Sequence, residues 1–142
     1  MDQEKRLIEL AIESAKKAYA PYSGYHVGAA LLTKTGTIYN GCNIENASYG
    51  ATNCAERTAF FKAVSEGEKD FEAIAIVGGP VSAEETNRVQ FSDYAFPCGI
   101  CRQVMKEFCG DDFKIIVAKS TEDYSVYTLR DLLPHGFGGK IN

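Results

Sequence analysis

Residues 27–42 read VGAALLTKTGTIYNGC, and the arrangement of the neighbouring elements depends on them. Two β-rich segments, 27–33 and 37–42, flank Lys34, Thr35 and Gly36, and the glycine can take the left-handed backbone conformation that a tight turn needs. The sequence therefore predicts an antiparallel hairpin. The segments on either side of it must then pack against that hairpin.

A helical pattern precedes the hairpin. From Asp2 to about residue 19, apolar side chains recur at the spacing of one helical face, and Asp2 is a suitable N-cap. Pro21 is expected to end this helix. After the hairpin, the pattern predicts a polar loop over 43–53 and a helix over 54–65.

The second half of the chain alternates strands and helices. A strand is predicted over 72–77, a helix over 98–108, strands over 113–118 and 124–128, and a short helix near 129–133. The link between the last two strands is too short for a parallel crossover, so they should pair antiparallel. We therefore expect one α/β domain over residues 1–142, with a mixed sheet and helices packed on it.

Residues 81–97 stand apart because they show little periodicity. A loop of that length within a compact domain is usually functional or mobile. Among the aromatic residues, we expect Phe60, Phe61 and Phe108 to lie in the core, whereas Phe137 has no evident core partner in its Gly-rich tail.

Composition limits the classes of partner and compartment. The chain has 45% hydrophobic and 24% charged residues, as ordinary globular proteins have, and a net charge of -4 that offers no general attraction to nucleic acid. Its longest apolar runs are only strand-length, and the first ten residues alternate charge with apolarity, so no membrane segment or signal peptide is expected. Five cysteines favour free thiols or metal ligands over disulfides. We expect a cytoplasmic protein with a small-molecule partner.

Two cysteine clusters carry the strongest chemical signal, TNCAERTAF at 52–60 and PCGICRQ at 97–103. Both open predicted helices, and the partial positive charge at a helix N-terminus stabilises the thiolate form that zinc requires. Thiolates from Cys54, Cys98 and Cys101 would fill three tetrahedral positions. The fourth position would stay open for water, the pattern of catalytic rather than structural zinc.

Glu56 lies two residues after Cys54 and is placed to shuttle protons at the metal without being a ligand. Three thiolates leave the site negatively charged, which weakens the activation of water by the metal. Arg57 is therefore a candidate donor to a thiolate sulfur.

Simpler interpretations remain open at this point. The C-x-x-C spacing alone fits a thioredoxin-like dithiol, and a closed four-cysteine structural site could use Cys42 or Cys109. Buried core thiols explain these two cysteines better. Glu56 and Arg57 could be a first-turn acid and a solvated base.

Together these motifs resemble the zinc-dependent cytidine deaminases in their small single-domain form. Their wider signature is C-x-E or H-x-E followed by P-C-x-x-C, and the likeness extends to YSGYHVGAAL at 22–31, GCNIENASYG at 41–50 and LLPHGF at 132–137. The resemblance implies a three-layer fold, a mixed five-stranded sheet with helices on both faces. It also implies one zinc ion per subunit, bound by Cys54, Cys98 and Cys101, with Glu56 as general acid and base.

The resemblance also implies substrate contacts. Asn43 and Glu45 are similar to the pair that hydrogen-bonds the ribose 3′-hydroxyl, and the segment between them includes Ile44. The backbone of Ala55 would read the pyrimidine, and Tyr25 would line the base pocket where the family usually has phenylalanine.

Family members of this size are homotetramers whose sites borrow residues from neighbouring subunits. This carries over Ala47, Tyr49 and Phe137 as contacts made in trans. The expected reaction is hydrolytic deamination of cytidine and deoxycytidine, in pyrimidine salvage. The alternatives are a deaminase of another cytosine nucleoside, such as blasticidin S, and a non-catalytic zinc-stabilised binding module.

Overall fold

The computed structural model describes residues 2–82 and 88–139. In these residues the elements follow one another as α1 (Gln3–Ala15), β1 (Tyr25–Thr33), β2 (Ile38–Cys42), a 3₁₀ turn (Tyr49–Ala51), α2 (Ala55–Ser65), β3 (Phe71–Pro80), α3 (Gly99–Phe108), β4 (Lys114–Ser120), β5 (Asp123–Thr128) and α4 (Leu129–Leu132).

The five strands form one mixed sheet in the order β2-β1-β3-β4-β5. Strand β1 pairs antiparallel with β2 and with β3, β3 pairs parallel with β4, and β4 pairs antiparallel with β5. The predicted hairpin is confirmed, and Gly36 in its turn has φ 97°, a value that favours glycine. The predicted antiparallel pairing of the last two strands is confirmed as well.

Helices cover both faces of the sheet, as the three-layer expectation requires. Successive side chains of a strand point to opposite faces, so Leu31 and Leu32 of β1 enter different cores. Leu32 packs in the cluster that contains Leu7 and Ile8 of α1. Leu31 packs in the cluster that contains Phe60 of α2. Met105 of α3 belongs to that second cluster, so α2 and α3 share one face.

The position of α2 on the sheet depends on a missing side chain. A Cβ at Gly41 of β2 would lie 2.4 Å from the carbonyl oxygen of Ala55 and 2.7 Å from the amide nitrogen of Ala59. Only glycine allows the first turn of α2 to lie this close to β2. The residues that open α2 are thereby fixed relative to the sheet.

Two sequence expectations are wrong. Helix α1 ends at Ala15, before the predicted end at about residue 19 and well before Pro21. The chain turns away there to form a β-bridge between Tyr19 and Ile44, and Tyr19 accepts a backbone hydrogen bond from Glu45. Phe61 is 48% exposed, whereas Phe60 is fully buried. Adjacent residues of a helix point about 100° apart, so the two rings cannot share the core.

The remaining core expectations hold in part. Phe108 is partly buried and packs against the same cluster as Phe60. Cys109 is buried and belongs to that cluster, but Cys42 is only half-buried. Within the described ranges, no helix has both the length and the apolar character needed to span a bilayer.

Replacing Gly41 with alanine should destabilise the protein, because the new methyl group collides with the backbone of α2. Overpacking of this kind typically costs about 1–3 kcal/mol. Urea denaturation of the two proteins measures the loss. Gly50→Ala is the matched control, because a Cβ there has open space around it. Equal stability of Gly41→Ala and Gly50→Ala would contradict the close approach of α2 to β2.

Candidate active site

The starts of two helices bring three cysteine sulfurs together. Cys54 is the N-cap of α2 and Cys98 is the N-cap of α3, while Cys101 lies in the first turn of α3. The Sγ atoms of Cys54 and Cys98 are 3.7 Å apart, and those of Cys98 and Cys101 are 3.4 Å apart. A disulfide bond is about 2.05 Å long, so these cysteines are free thiols held side by side.

The sulfur spacing fits a tetrahedral metal. With metal–sulfur bonds of about 2.3 Å, two sulfurs on tetrahedral zinc are about 3.8 Å apart. The three Sγ atoms all lie within 4.8 Å of one another. Cys101 is buried, whereas Cys98 is exposed and Cys54 is half-buried, so the cluster opens toward solvent on one side.

The charges of the cluster also call for a cation. The pKa of Cys54 is lowered to about 5, chiefly by a hydrogen bond with Cys101 and also by Arg57 and Cys98, against the effect of burial. The hydrogen bond with Cys54 raises the pKa of Cys101, and burial and the negative charge of Glu56 add to this effect. Without a cation the sulfurs therefore cannot all ionise, and a divalent metal supplies the missing charge.

The geometry decides between the alternatives for these cysteines. A redox dithiol needs no third sulfur, and here Cys54 lies beside the C-x-x-C pair. Among residues 2–82 and 88–139, no further Cys, His, Asp or Glu joins the three-sulfur cluster, and Cys42 and Cys109 lie outside it. The closed four-cysteine site is thus wrong. Three protein sulfurs leave one tetrahedral corner for a small molecule.

Two hydrogen bonds disperse the negative charge of the sulfurs. Nη2 of Arg57 donates to Sγ of Cys54 at 3.4 Å, which is the contact that the sequence suggested for Arg57. The backbone amide of Cys101 donates to Sγ of Cys98 at the same distance. Each helix start therefore supplies a donor to a sulfur of the cluster.

Glu56 lies in the first turn of α2 and is only 4% exposed. Burial raises its pKa to about 7, and the negative charge of Cys54 acts in the same direction. Hydrogen bonds with its own backbone and with Cys101 oppose this rise, as does the charge of Arg57. A carboxyl group with such a pKa can both accept and release a proton near neutral pH.

A cleft of about 460 Å³ runs over the cysteine cluster and has three walls. Such a volume lies within the usual range for small-molecule sites, about 300–1,000 Å³. One wall comes from β1, the segment before it and the chain after β2, the second from the segment that enters α2, and the third from the segment before α3. The lining residues are Ser23, Tyr25, Val27, Asn43, Glu45, Thr52, Asn53, Cys54, Ala55, Glu56, Tyr94, Ala95, Phe96 and Cys98.

Asn43 and Glu45 lie in the first wall and already hold the backbone around them. Oδ1 of Asn43 accepts from the amide of Val27 at 2.8 Å, and its Nδ2 donates to the carbonyl of Tyr25 at 2.9 Å. Glu45 accepts from the amides of Tyr22 and Ser23 and from the Ser23 hydroxyl. An amide side chain has two donors and two acceptor sites, so Asn43 keeps one donor and one acceptor site for a ligand.

The base-pocket residues of the sequence prediction also lie in the cleft. Tyr25 lines it beside Val27, and Ala55 lines it next to Cys54. Burial raises the pKa of Tyr25, and the nearby negative charge of Asp93 raises it further. The phenol of Tyr25 therefore stays neutral.

Four predicted contact residues lie outside the cleft of this chain. Ile44 is 45% exposed and exchanges two backbone hydrogen bonds with Asn53, which tie the end of β2 to the entry of α2. Ala47 is exposed. Tyr49 borders a neighbouring depression of about 300 Å³. Phe137 and Tyr49 are each 79% exposed.

Seven cleft residues were absent from the sequence prediction: Ser23, Val27, Thr52, Asn53, Tyr94, Ala95 and Phe96. The first four belong to the motifs at 22–31 and 52–60, but the sequence does not show that their side chains line the cleft. The last three lie at the end of the aperiodic segment 81–97. The length of that segment was the signal that could have drawn attention to them.

The sequence of the chain matches a known family and two of its members. Residues 1–118 match the sequence model of the cytidine and deoxycytidylate deaminase zinc-binding region. A cytidine deaminase of Sporosarcina psychrophila is 47% identical over 140 residues, which span 96% of this chain and 92% of that protein. One from Halalkalibacterium halodurans is 49% identical over 137 residues, spanning 96% and 95% of the two chains.

The solved structures agree with the sequences. The crystal structure of cytidine deaminase from Burkholderia pseudomallei is similar with a TM-score of 0.82 and 43% identity, and the match covers 96% of this chain and 100% of that one. The chain thus belongs to the cytidine and deoxycytidylate deaminase family, whose cofactor is zinc.

Proposed function

We propose that this protein catalyses the hydrolytic deamination of cytidine and deoxycytidine to uridine and deoxyuridine, with release of ammonia, as a step of pyrimidine salvage. One observation carries the proposal. The buried carboxyl of Glu56 lies beside a three-sulfur cluster that opens into a cleft of nucleoside size.

Glu56 is the proton carrier of the proposed reaction. Zinc, when held by Cys54, Cys98 and Cys101, supplies the Lewis acidity that makes water nucleophilic near neutral pH. Glu56 accepts one proton as the water oxygen bonds to C4 and passes it to N3, then accepts the second proton of that oxygen and passes it to the amino group. The bond between C4 and the amino nitrogen then breaks, and ammonia leaves.

The lining of the cleft favours a nucleoside over a nucleotide. The described residues that line it include Glu45 and Glu56 but neither lysine nor arginine. A phosphate group would meet negative charge without a compensating cation. Asn43 and Glu45 can bond a sugar hydroxyl with the donor and acceptor sites that their backbone contacts leave free.

We further propose a homotetramer in which neighbouring subunits complete each site. Contiguous exposed apolar patches mark interaction surfaces. Here the exposed rings of Tyr22 and Tyr49 lie 6.5 Å apart, and Phe137 is exposed as well. Tyr49 borders the depression that adjoins the cleft. Phe137 lies in the C-terminal tail segment. Its backbone carbonyl accepts a hydrogen bond from the side-chain amide of Gln103 on α3, which fixes the tail against that helix. Ala47, Tyr49 and Phe137 would then contact substrate in trans.

The compartment and the partner class follow from the same features. All five cysteines are free, which suits the reducing cytoplasm. The net charge of -4 gives no attraction to nucleic acid or to an anionic membrane surface. We infer a cytoplasmic enzyme with a nucleoside as its partner and residues 1–142 as one domain.

Loss of a zinc ligand should abolish both metal binding and turnover. The Cys98→Ser variant is expected to purify without zinc and to leave cytidine unchanged, because the two remaining sulfurs are too few to hold the metal. Metal analysis and the loss of cytidine absorbance measure the two effects. Cys42→Ser is the matched control, since its sulfur lies outside the cluster, and it should keep one zinc per chain.

The same assay separates the alternatives. Chelation should stop the wild-type reaction, and added zinc should restore it. Faster conversion of blasticidin S than of cytidine would indicate a deaminase of another cytosine nucleoside. Bound zinc without conversion of any cytosine nucleoside would indicate a binding module.

Glu56→Gln should retain zinc yet lose activity by about 10²–10⁴-fold in kcat, the usual contribution of general acid–base catalysis. The amide keeps the shape of the side chain but cannot carry a proton. Glu107→Gln on the exposed face of α3 is the control and should behave like wild type. A Glu56→Gln variant with nearly full activity would refute the proton-carrier role.

Shared sites can be tested by mixing two impaired chains. Phe137→Ala lacks the proposed trans contact and Glu56→Gln lacks the proton carrier, but a tetramer that contains both can assemble intact sites. Random assembly in equal amounts should leave about a quarter of the sites complete. Co-expression followed by activity assay and light scattering measures this. Activity no higher than the sum of the separate variants, or a monomer in solution, would contradict shared sites.

A further inference from the structure

We propose that Tyr94 and Phe96 form a rigid wall of the cleft that limits which substituents the enzyme accepts at C5 of the pyrimidine ring. The proposal rests on the proposed function, because that function fixes how the ring enters the cleft. The two residues belong to the aperiodic segment before α3, and neither has a role assigned from the sequence alone.

The chemistry orients the ring. C4 must lie at the open corner of the cysteine cluster, and its two ring neighbours are N3 and C5. N3 must face Glu56 to receive a proton, so this edge lies against the start of α2. The sugar on N1, opposite C4, points toward Asn43 and Glu45. The remaining wall of the cleft, the segment that contains Tyr94 and Phe96, then faces C5.

Tyr94 is held in place from two sides by the β4–β5 hairpin. Its hydroxyl donates a hydrogen bond to the carboxylate of Asp123, the first residue of β5. The ammonium group of Lys119 on β4 lies 4.4 Å from the centre of its ring, a cation–π contact. The ring therefore cannot turn away from the cleft without losing both contacts.

Phe96 is anchored through a ring and through the backbone. Its ring centre lies 5.4 Å from that of Tyr127 on β5. The carbonyl of Pro97, the next residue, accepts a 2.7 Å hydrogen bond from Nε of Arg102. Ala95, between the two aromatic residues, packs closely against β3. A Cβ added at Gly78 of β3 would lie only 2.9 Å from the Cβ of Ala95.

The wall is thus fixed but still open to a ligand. Tyr94 is 41% exposed and Phe96 is 45% exposed, so each ring keeps a free surface in the cleft. A fixed wall of two aromatic rings accommodates the hydrogen at C5 and resists a larger group. A flexible wall would yield to the same group at little cost.

Truncation of the wall should relax this discrimination. In Phe96→Ala and Tyr94→Ala, the ratio of kcat/KM for 5-methylcytidine to that for cytidine should rise about 10-fold or more, since one methyl group in a tight pocket is worth roughly 10–200-fold. Val126→Ala is the matched control. Val126 is 43% exposed on the same strand as Tyr127 but does not line the cleft.

A second pair of variants tests rigidity without changing the wall itself. Asp123→Ala combined with Lys119→Ala frees Tyr94, and should raise the same ratio by less than Tyr94→Ala does. Lys5→Ala combined with Glu122→Ala is the control. It removes one base and one acid at an exposed ion pair near the same hairpin and leaves Tyr94 held.

Binding of the products provides a readout that needs no turnover. Calorimetry of uridine and 5-methyluridine should show weaker binding of the methylated product in wild type and a reduced difference in Phe96→Ala. If Phe96→Ala and Tyr94→Ala both leave the ratio between the 5-methylated and the unmethylated compound unchanged, in kinetics or in binding, the proposal of an aromatic wall is refuted. A wild-type protein that binds uridine with this discrimination but deaminates no cytidine would instead contradict the proposed function.

Discussion

Three cysteine sulfurs that lie close together make the main demand on this fold, because they repel one another when ionised. Cys54, Cys98 and Cys101 lie within 4.8 Å of one another, and ionised sulfurs at such distances are stable only with a cation among them. The fold meets this demand by starting two helices at the same place. Helices α2 and α3 pack on one face of the sheet. The start of α3 donates the amide of Cys101 to a sulfur, and the start of α2 donates the side chain of Arg57. The parallel pairing of β3 with β4 makes this possible, because α3 lies on the connection between them.

The position of Glu56, the proposed proton carrier, follows from that of Cys54, a proposed metal ligand. Glu56 comes two residues after Cys54 on the same helix, so the close contact of α2 with Gly41 positions both. The fixed helix explains how a carboxyl group can be buried beside thiolates rather than turned to solvent. The cost of burying it is reflected in its raised pKa, and the charge of Arg57 offsets part of that cost. Structure and chemistry thus share one helix turn.

Much of this could be predicted from the sequence, and the limits have physical causes. The hairpin, the five strands and the metal ligands came from local signals, such as Gly36 in the turn and cysteines at two helix starts. The end of α1 could not be predicted, since it depends on a bridge between Tyr19 and the distant Ile44. Phe60 and Phe61 look alike in sequence, and only the packing of α2 shows which one is buried. The proposed aromatic wall could not be predicted, because the position of Tyr94 depends on contacts with Asp123 and Lys119, which no local pattern connects to it.

The separation of Cys54 from Cys98 has a consequence for how the protein can change over time. These residues are 44 positions apart, so a bound metal closes a long loop of chain that contains β3 and the aperiodic segment. The entropy of closing a loop grows only with the logarithm of its length, and even a doubling costs about 0.6 kcal/mol. Insertions and deletions between β3 and α3 therefore hardly weaken the link that a bound metal would make between Cys54 and Cys98. The segment that borders the cleft can therefore vary in length and shape among descendants of this chain while the three-cysteine cluster stays intact.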